Sequence, residues 1–422
     1  MKQTVISMLL AGIVSLPAIA QSAFEEINAN PALSAGKYYA YQAPEAKLTP
    51  VPEGYTPFYI STFARHGSRY LTKKKKYDSP LSILKEAARQ HKLTTDGQRA
   101  LNIIEKLAEE AAGRYGELTP KGAQQHKDLI RRMYTNYPQV FTDGTHVDAR
   151  STYKTRAFLS MAAACVELKG LNPRLVITTD VSEHDAYYIK YKNPTYEEAH
   201  LANADSVYIH PERLMKQLFI NADIVKDPRQ LMADLFELHG ISQSSYHQED
   251  LSFLFTSQER YDLWQRNNFE WYYEKGASPL SGSCMYKLER NLLLNFIETA
   301  DTVISSKKNC VTLRYGHDTN LAPLAALMGI DKLSFATADW QKIADTYRTY
   351  RIIPMCGNIQ LIFFHKLDND DILVKLLLNE REVTLPLPTD TAPYYHWKDV
   401  RNYWQKIVDA IELPAVDSNT TD

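Results

Sequence analysis

The chain has 422 residues, with 48 Lys and Arg against 50 Asp and Glu, a formal net charge of -2 and 44% hydrophobic residues. That length and hydrophobic fraction support one large domain with an insertion, or two modest domains. The balanced charge gives no global basic field, so nucleic acid is not an expected partner, and attraction for anions must come from local clusters.

The N-terminus reads as a secretory signal. Lys2 supplies the positive region, residues 4–16 are mostly apolar, and Ala18-Ile19-Ala20 fits a small-x-small cleavage pattern before Gln21. A membrane anchor is the alternative, but the run is short for a spanning helix and contains Pro17. Residues 1–20 are therefore expected to be removed, leaving a periplasmic or secreted protein with no stable membrane insertion. Residues 21–57, rich in Ala, Pro and Tyr, read as an extended segment wrapped on the surface.

A strand is predicted at 58–63, running into Arg65-His66-Gly67-Ser68-Arg69 and then Lys73-Lys74-Lys75-Lys76. Ser79-Pro80 looks like an N-cap with proline at the first helical position, opening a helix to about Gln90. Asp96 is read as the cap of a helix carrying Leu101, Ile104, Leu107 and Ala111, and Thr119-Pro120 starts another to about Tyr134. A strand at 147–152 precedes a helix at 154–168 and a β-rich run at 174–179. Residues 183–300 show no clean strand alternation and read as helices at 213–219, 228–238, 258–273 and 285–303.

Strand character returns at 310–315, followed by a helix at 321–328. Strands at 358–365 and 372–378 come next, then a short partner at 382–385 reached through a turn near Asn379. A closing helix spans 396–411 before a polar tail from Ala415. Strands interspersed with helices imply an α/β fold. The expectation is a central, mostly parallel sheet flanked by helices, with an inserted helical cap domain. The core would take 21–182 and 304–422, and the cap 183–303.

The four cysteines permit three full pairings, among which sequence does not choose. Cys165, in an apolar helical stretch, reads as a free core thiol. No cysteine pair has zinc-site spacing. There is no His-Glu-x-x-His, no dense carboxylate cluster and no Walker loop. Neither metal nor cofactor is expected, and activity should survive a strong chelator.

In α/β sheets, ligands bind beyond the carboxyl ends of the strands. Arg65-His66, Arg150 and His317-Asp318 each stand at such an end. Guanidinium forks grip phosphate with paired, charge-assisted hydrogen bonds. A histidine between such forks is kept neutral by the neighbouring positive charge, and so can attack phosphorus. The competing reading is a basic surface loop with a packing histidine.

Four segments in order weigh against that reading: Arg65-His66-Gly67-Ser68-Arg69, Leu118-Thr119-Pro120-Lys121-Gly122, Arg150-Ser151-Thr152-Tyr153-Lys154-Thr155-Arg156, and Arg314-Tyr315-Gly316-His317-Asp318-Thr319-Asn320. Together they resemble the histidine acid phosphatase family, the acid phosphatase and phytase branch of the histidine phosphatases. The Arg-His-Gly-Ser-Arg-Tyr form is most similar to its inositol-polyphosphate phosphatase and bacterial phytase-like members.

The resemblance implies a metal-independent phosphomonoesterase with an acidic optimum. His66 would be the nucleophile, with Arg65, Arg69, Arg156 and His317 on the phosphoryl oxygens. Asp318 would be the general acid, although an aspartate there also suits a helix N-cap. Arg150 competes with Arg156, or contacts a neighbouring phosphate. Lys73, Lys74, Lys75 and Lys76 form either a substrate rim or a solvated loop. His184-Asp185 lacks the motif context and is given a rim role at most.

Small phosphate esters are the expected partners, inositol phosphates such as phytate foremost. A broad acid phosphatase on sugar phosphates or nucleotides is the alternative, and a phosphoryl mutase or a non-catalytic phosphate binder stands behind both. The chain departs from the animal-type relatives in having His317-Asp318 where those resemble His-Ala-Glu. It also has Leu71 where many relatives have proline. Both departures bear on substrate and positional preference.

Overall fold

The structure, a computed structural model, describes residues 21–189, 199–246, 250–367 and 369–412. The expected signal peptide and the polar tail from Ala415 lie outside these residues. An eight-stranded sheet organises the chain: β1 (Tyr55–Arg65), β2 (His146–Ser151), β3 (Val176–Asp180), β4 (Cys310–Gly316), β5 (Asn358–Lys366), β6 (Asn369–Leu378), β7 (Arg381–Glu382) and β8 (Tyr394–His396). Its order is β3-β2-β4-β1-β5-β6-β7, with β8 also paired to β6. The expected parallel character holds from β3 to β1, the half that carries the site. From β5 onward the chain returns through hairpins, and the pairing becomes antiparallel. Asn379 and Glu380 make the tight turn into β7 with φ of 53° and 60°, the left-handed pair that a two-residue hairpin favours.

The period-2 alternation of strand side chains sorts the core into two faces. On one face Tyr59, Phe63, Leu361, Phe363 and Val374 pack with the helices Arg290–Ser306, Asp318–Leu327 and Trp397–Asp409. On the other, Ile60, Ala64, Val147, Leu313, Ile362 and Phe364 pack with Pro120–Asn136 and Thr155–Leu171. β1 is buried from Pro57 to Arg65 because both faces are covered. Truncating its fully buried Phe63 to alanine would cost about 3–5 kcal/mol.

The segment expected as a cap is helical, with loops, among its described residues; Phe219 alone makes a bridge, to Leu93. Its apolar residues at 209–264 share one cluster with the helices Lys75–Arg89 and Thr95–Ala111 and with Ala23, Ile27, Ala35 and Tyr38. Its last helix, Arg290–Ser306, packs on the sheet instead. The helical lobe thus draws on sequence before 183 and gives up sequence before 303.

Three local expectations change. The helix expected to be capped by Asp96 starts at Thr95 and is capped by Thr94, whose side chain accepts from the Gly97 N–H at 3.0 Å. Residues 21–57 begin with a helix, Ala23–Ala29, closed by a reciprocal Ser22–Glu25 capping box. A 3-10 segment, Pro31–Tyr38, follows and runs into the interior. The helix expected from Ser79 starts at Lys75 and takes Pro80 inside it. Buried Tyr77 anchors that early start, its hydroxyl accepting from the Leu71 N–H at 2.9 Å. All four cysteines are free.

Candidate active site

Parallel pairing brings three strand ends to one edge. Arg65 pairs with Gly316 and Ser151 with Tyr315. The ladder continues past the strands: the His66 N–H donates to the Gly316 carbonyl at 3.0 Å, and the Thr152 N–H to the Tyr315 carbonyl at 3.1 Å. His66, Thr152 and His317-Asp318 therefore emerge side by side.

The loop after β1 is held by backbone contact with the start of the helix Pro120–Asn136. Thr119 caps that helix, its Oγ1 accepting from the Gly122 N–H at 3.2 Å and donating to the Ser68 carbonyl at 3.1 Å. A Cβ on Gly67 would lie 2.3 Å from the Gly122 carbonyl oxygen, and one on Gly122 would lie 2.2 Å from that of Ser68. Only two facing glycines let these backbones touch. Gln125 Oε1 accepts from the Ser68 N–H at 2.9 Å. Ser160 Oγ accepts from the Gly67 N–H at 3.1 Å and donates to the Arg156 carbonyl at 2.8 Å. One hydroxyl thus ties the His66 loop to the helix turn that carries Arg156.

His66 is 1% exposed. Its Nδ1 lies 2.9 Å from the Gly67 carbonyl. A carbonyl only accepts, so Nδ1 carries the proton and Nε2 keeps its lone pair. Burial, then Arg65, Arg156, Arg69 and His317, hold the imidazole well below its ordinary pKa. The His317 ring stands 5.5 Å away, edge on, its Nε2 3.1 Å from Thr152 Oγ1. Burial and the same arginines push His317 down to about 3, against the opposing pull of Asp318.

Arg65 is fully buried, its Nη1 donating to the carbonyls of Lys37 at 2.6 Å and Ile353 at 2.5 Å. Its Nη2 lies 2.7 Å from Asp318 Oδ2. Burial brings Arg65 and Arg156 each down to about 10. Arg69 donates to its neighbour's carbonyl at Tyr70 and stands 5.6 Å from the centre of the Tyr38 ring. Around His66, the buried Nε atoms of Arg65, Arg69 and Arg156 and Nδ1 of His317 have no hydrogen-bond partner among the described residues. Native proteins rarely leave such groups unpaired. A tetrahedral oxyanion would satisfy donors of this kind.

Asp318 sits in the first turn of its helix, with His317 as the cap residue. Its Oδ1 accepts from the Thr319 N–H at 3.0 Å, so it also serves the helix terminus. Burial alone would raise its carboxyl. Arg65, Arg69, Lys37 and His317 outweigh that and hold it below the ordinary carboxylate range.

Arg150 stands apart from this group. It reaches Asp148 at 2.9 Å, Asp180 at 2.9 Å and Asp185 at 3.2 Å, and so its charge is spent within a carboxylate cage rather than offered to a ligand. His184 is exposed and leans on Asp185 of the same cage. Of the lysine run, Lys73, Lys74 and Lys75 are exposed, and Lys74 lies near Asp78. Lys76 is tied to Glu237 at 2.6 Å.

Several residues here were not singled out from sequence. Lys37 and Tyr38 arrive on the N-terminal segment. Ser160 and Gln125 hold the loop. Buried Lys275 and Glu289 lie behind Asp318, with Asn320 Nδ2 donating to Glu289 Oε1 at 3.1 Å. Burial lowers the Lys275 amine and raises the Glu289 carboxyl. The Ser22-x-x-Glu25 capping signature could have flagged the N-terminal segment as structured; nothing local marks the others.

The family model described as histidine phosphatase superfamily (branch 2) matches residues 60–379. Multiple inositol polyphosphate phosphatase 1 of Gallus gallus is 23% identical over 442 aligned positions, covering 95% of this chain and 94% of the relative. The structure is similar to that of Bifidobacterium longum multiple inositol polyphosphate phosphatase in complex with inositol hexasulfate. The two share 20% identity at a TM-score of 0.69, over 88% of this chain and 97% of that one. The phytase from D. castellii superposes at a TM-score of 0.66 with 15% identity, over 90% of this chain and 86% of that one. The chain belongs to branch 2 of the histidine phosphatase superfamily and is a phosphatase of that family.

Proposed function

We propose that this enzyme hydrolyses phosphate monoesters of polyphosphorylated alcohols, inositol polyphosphates foremost, through a phosphohistidine at His66. One observation carries the reading: unpaired, buried guanidinium nitrogens of Arg65, Arg69 and Arg156, with the unpaired Nδ1 of His317, gather around an imidazole whose Nδ1 proton is fixed on a carbonyl. Such a cradle stabilises charge spread over the equatorial oxygens of a transferring phosphoryl group.

His66 Nε2 attacks phosphorus, and the bond to the ester oxygen breaks. The Gly67 carbonyl holds the Nδ1 proton while the ring gains positive charge. The departing alkoxide takes a proton from Asp318. Water then attacks phosphorus and gives its proton to the Asp318 carboxylate, the P–N bond breaks to restore neutral His66, and inorganic phosphate leaves. Arg65 and Arg69 face Asp318 and hold its carboxyl below the ordinary carboxylate range, which favours the charged form. A phosphate dianion on those arginines offsets their pull and raises the carboxyl toward its donor form. Substrate thus arms its own acid.

The inositol preference draws on the relatives, one of which is bound to inositol hexasulfate. The helices that pack with Lys75–Arg89 and Thr95–Ala111 would supply the helical wall of the substrate cleft. Export is part of the same reading. The helix Ala23–Ala29 begins just after the expected cleavage point, and Arg348 Nη1 donates to the Gln21 carbonyl at 3.0 Å.

A substrate panel on purified protein, run for wild type and Asp318→Asn, tests the proposal. Inositol polyphosphates should lead sugar phosphates and nucleotides. The variant should lose far more rate on alkyl phosphates than on an aryl phosphate whose leaving group needs no proton. A panel led by sugar phosphates or nucleotides would replace the substrate assignment. Equal losses on both ester types would remove Asp318 from its role.

A further inference from the structure

The proton donor marks where the leaving oxygen must lie, and the charge of Lys37, a cation unused by phosphoryl transfer, reaches that donor. Lys37 is the penultimate residue of the Pro31–Tyr38 segment, and its carbonyl is fixed to the cradle by Arg65 Nη1 at 2.6 Å. Its Nζ lies 5.3 Å from the ring centres of both Tyr38 and Trp271. The same Tyr38 ring carries the Arg69 guanidinium at 5.6 Å, so the Lys37 ammonium and the phosphate-facing arginine share one aromatic platform. Tyr38 is locked in turn, its hydroxyl donating to Glu237 Oε1 at 2.6 Å while Lys76 occupies Glu237 Oε2 at 2.6 Å.

Lys76 is therefore spent on Glu237. Lys37 makes no ion pair of its own among the described residues, yet its charge is felt by both Asp318 and Glu237. A cation seated on aromatic faces is held in place while its N–H groups stay available. The exposed Lys73 and Lys74 differ: their charges are solvated and screened, and contribute little to a specific contact.

We propose that Lys37 binds a second anionic group of the substrate, a phosphate borne on the leaving alcohol beside the scissile ester, and so selects polyphosphorylated over singly phosphorylated alcohols. The assignment rests on the phosphatase reading above. The arginines grip the phosphoryl group in transfer, which every phosphomonoester possesses. Lys37 grips what only a polyphosphate has.

The test is the ratio of kcat/KM on inositol hexakisphosphate to kcat/KM on p-nitrophenyl phosphate, in wild type, Lys37→Met and Lys37→Arg. Methionine keeps an unbranched stem against the two rings and removes the charge. The ratio should fall about tenfold or more in Lys37→Met, the scale of one charged hydrogen bond. Lys37→Arg should restore most of it. A ratio within about twofold of wild type in Lys37→Met, or an equal fall in Lys37→Arg, would overturn the proposal. Wild type with no preference for the polyphosphate would instead sink the substrate class beneath it, whatever Lys37 does.

Discussion

At the scale of single residues, Asp318 carries the sharpest tension in the site. Its carboxyl lies 2.7 Å from a guanidinium and is held below its ordinary range, while its proposed task is to give up a proton. The tension resolves if bound phosphate takes over Arg65 and Arg69. Titrating the Asp318 side chain by NMR, with and without saturating inorganic phosphate, should show an upward shift on binding. A carboxyl that titrates identically in both states contradicts the arming step. Sequence made the neighbours of this residue legible where the motif is contiguous, as in Arg65-His66 and Gly316-His317-Asp318. It left the role of Arg150 open, because the cage of Asp148, Asp180 and Asp185 assembles only when β2 and β3 pair. Lys37 escaped notice for a related reason: the second ring under its ammonium, Trp271, is more than two hundred residues away, and the adjacent Tyr38 gains its role only by also carrying Arg69.

At the scale of elements, the segment Leu118-Thr119-Pro120-Lys121-Gly122 explains itself. Thr119 caps, proline opens the helix, and Gly122 admits the His66 loop. Gly122→Ala would push a methyl group to 2.2 Å from the Ser68 carbonyl oxygen. We expect a stability loss of about 1–3 kcal/mol in urea melts, as for overpacked cores. kcat should fall as well, because the loop must retreat and take Nε2 of His66 with it. Full activity in Gly122→Ala would show that the close backbone contact does not position the nucleophile. Thr119-Pro120 was readable because capping is local chemistry. The start at Lys75 was not, since it depends on buried Tyr77 meeting Leu71. The helical lobe was read as a single insertion because helical periodicity says nothing about which helices share a core. The packing of residues 209–264 with the helices at 75–111 is a tertiary fact.

At the scale of the whole molecule, the fold places neutral imidazoles in its interior, and this links stability to pH. His126 is fully buried behind the site, its Nδ1 3.7 Å from Cys356 Sγ and its ring edge on to Tyr315. Burial pushes it down to about 3. The unfolded chain takes up that proton near pH 6.5. The native state therefore holds its advantage above that pH and loses it as pH falls toward 3, at about 1.4 kcal/mol per pH unit. His126→Gln removes this uptake. The stability gap between wild type and variant should narrow steadily in urea melts from pH 6.5 to 4.5, and a constant gap contradicts a neutral buried His126.

The α/β class and the strand ends that gather the site were legible from periodicity. The antiparallel half of the sheet was not, since the direction of β5 is set by its pairing with β1.

The central claim is that the imidazole of His66, held between arginines at the end of β1, forms the bond to phosphorus. Rapid acid-free quenching of wild type turning over a 32P-labelled monoester, followed by peptide mapping, tests it most directly. We predict an acid-labile, alkali-stable label on the peptide containing His66, absent in His66→Ala together with turnover. A label on another residue, or a His66→Ala enzyme that still turns over at the wild-type rate, contradicts it.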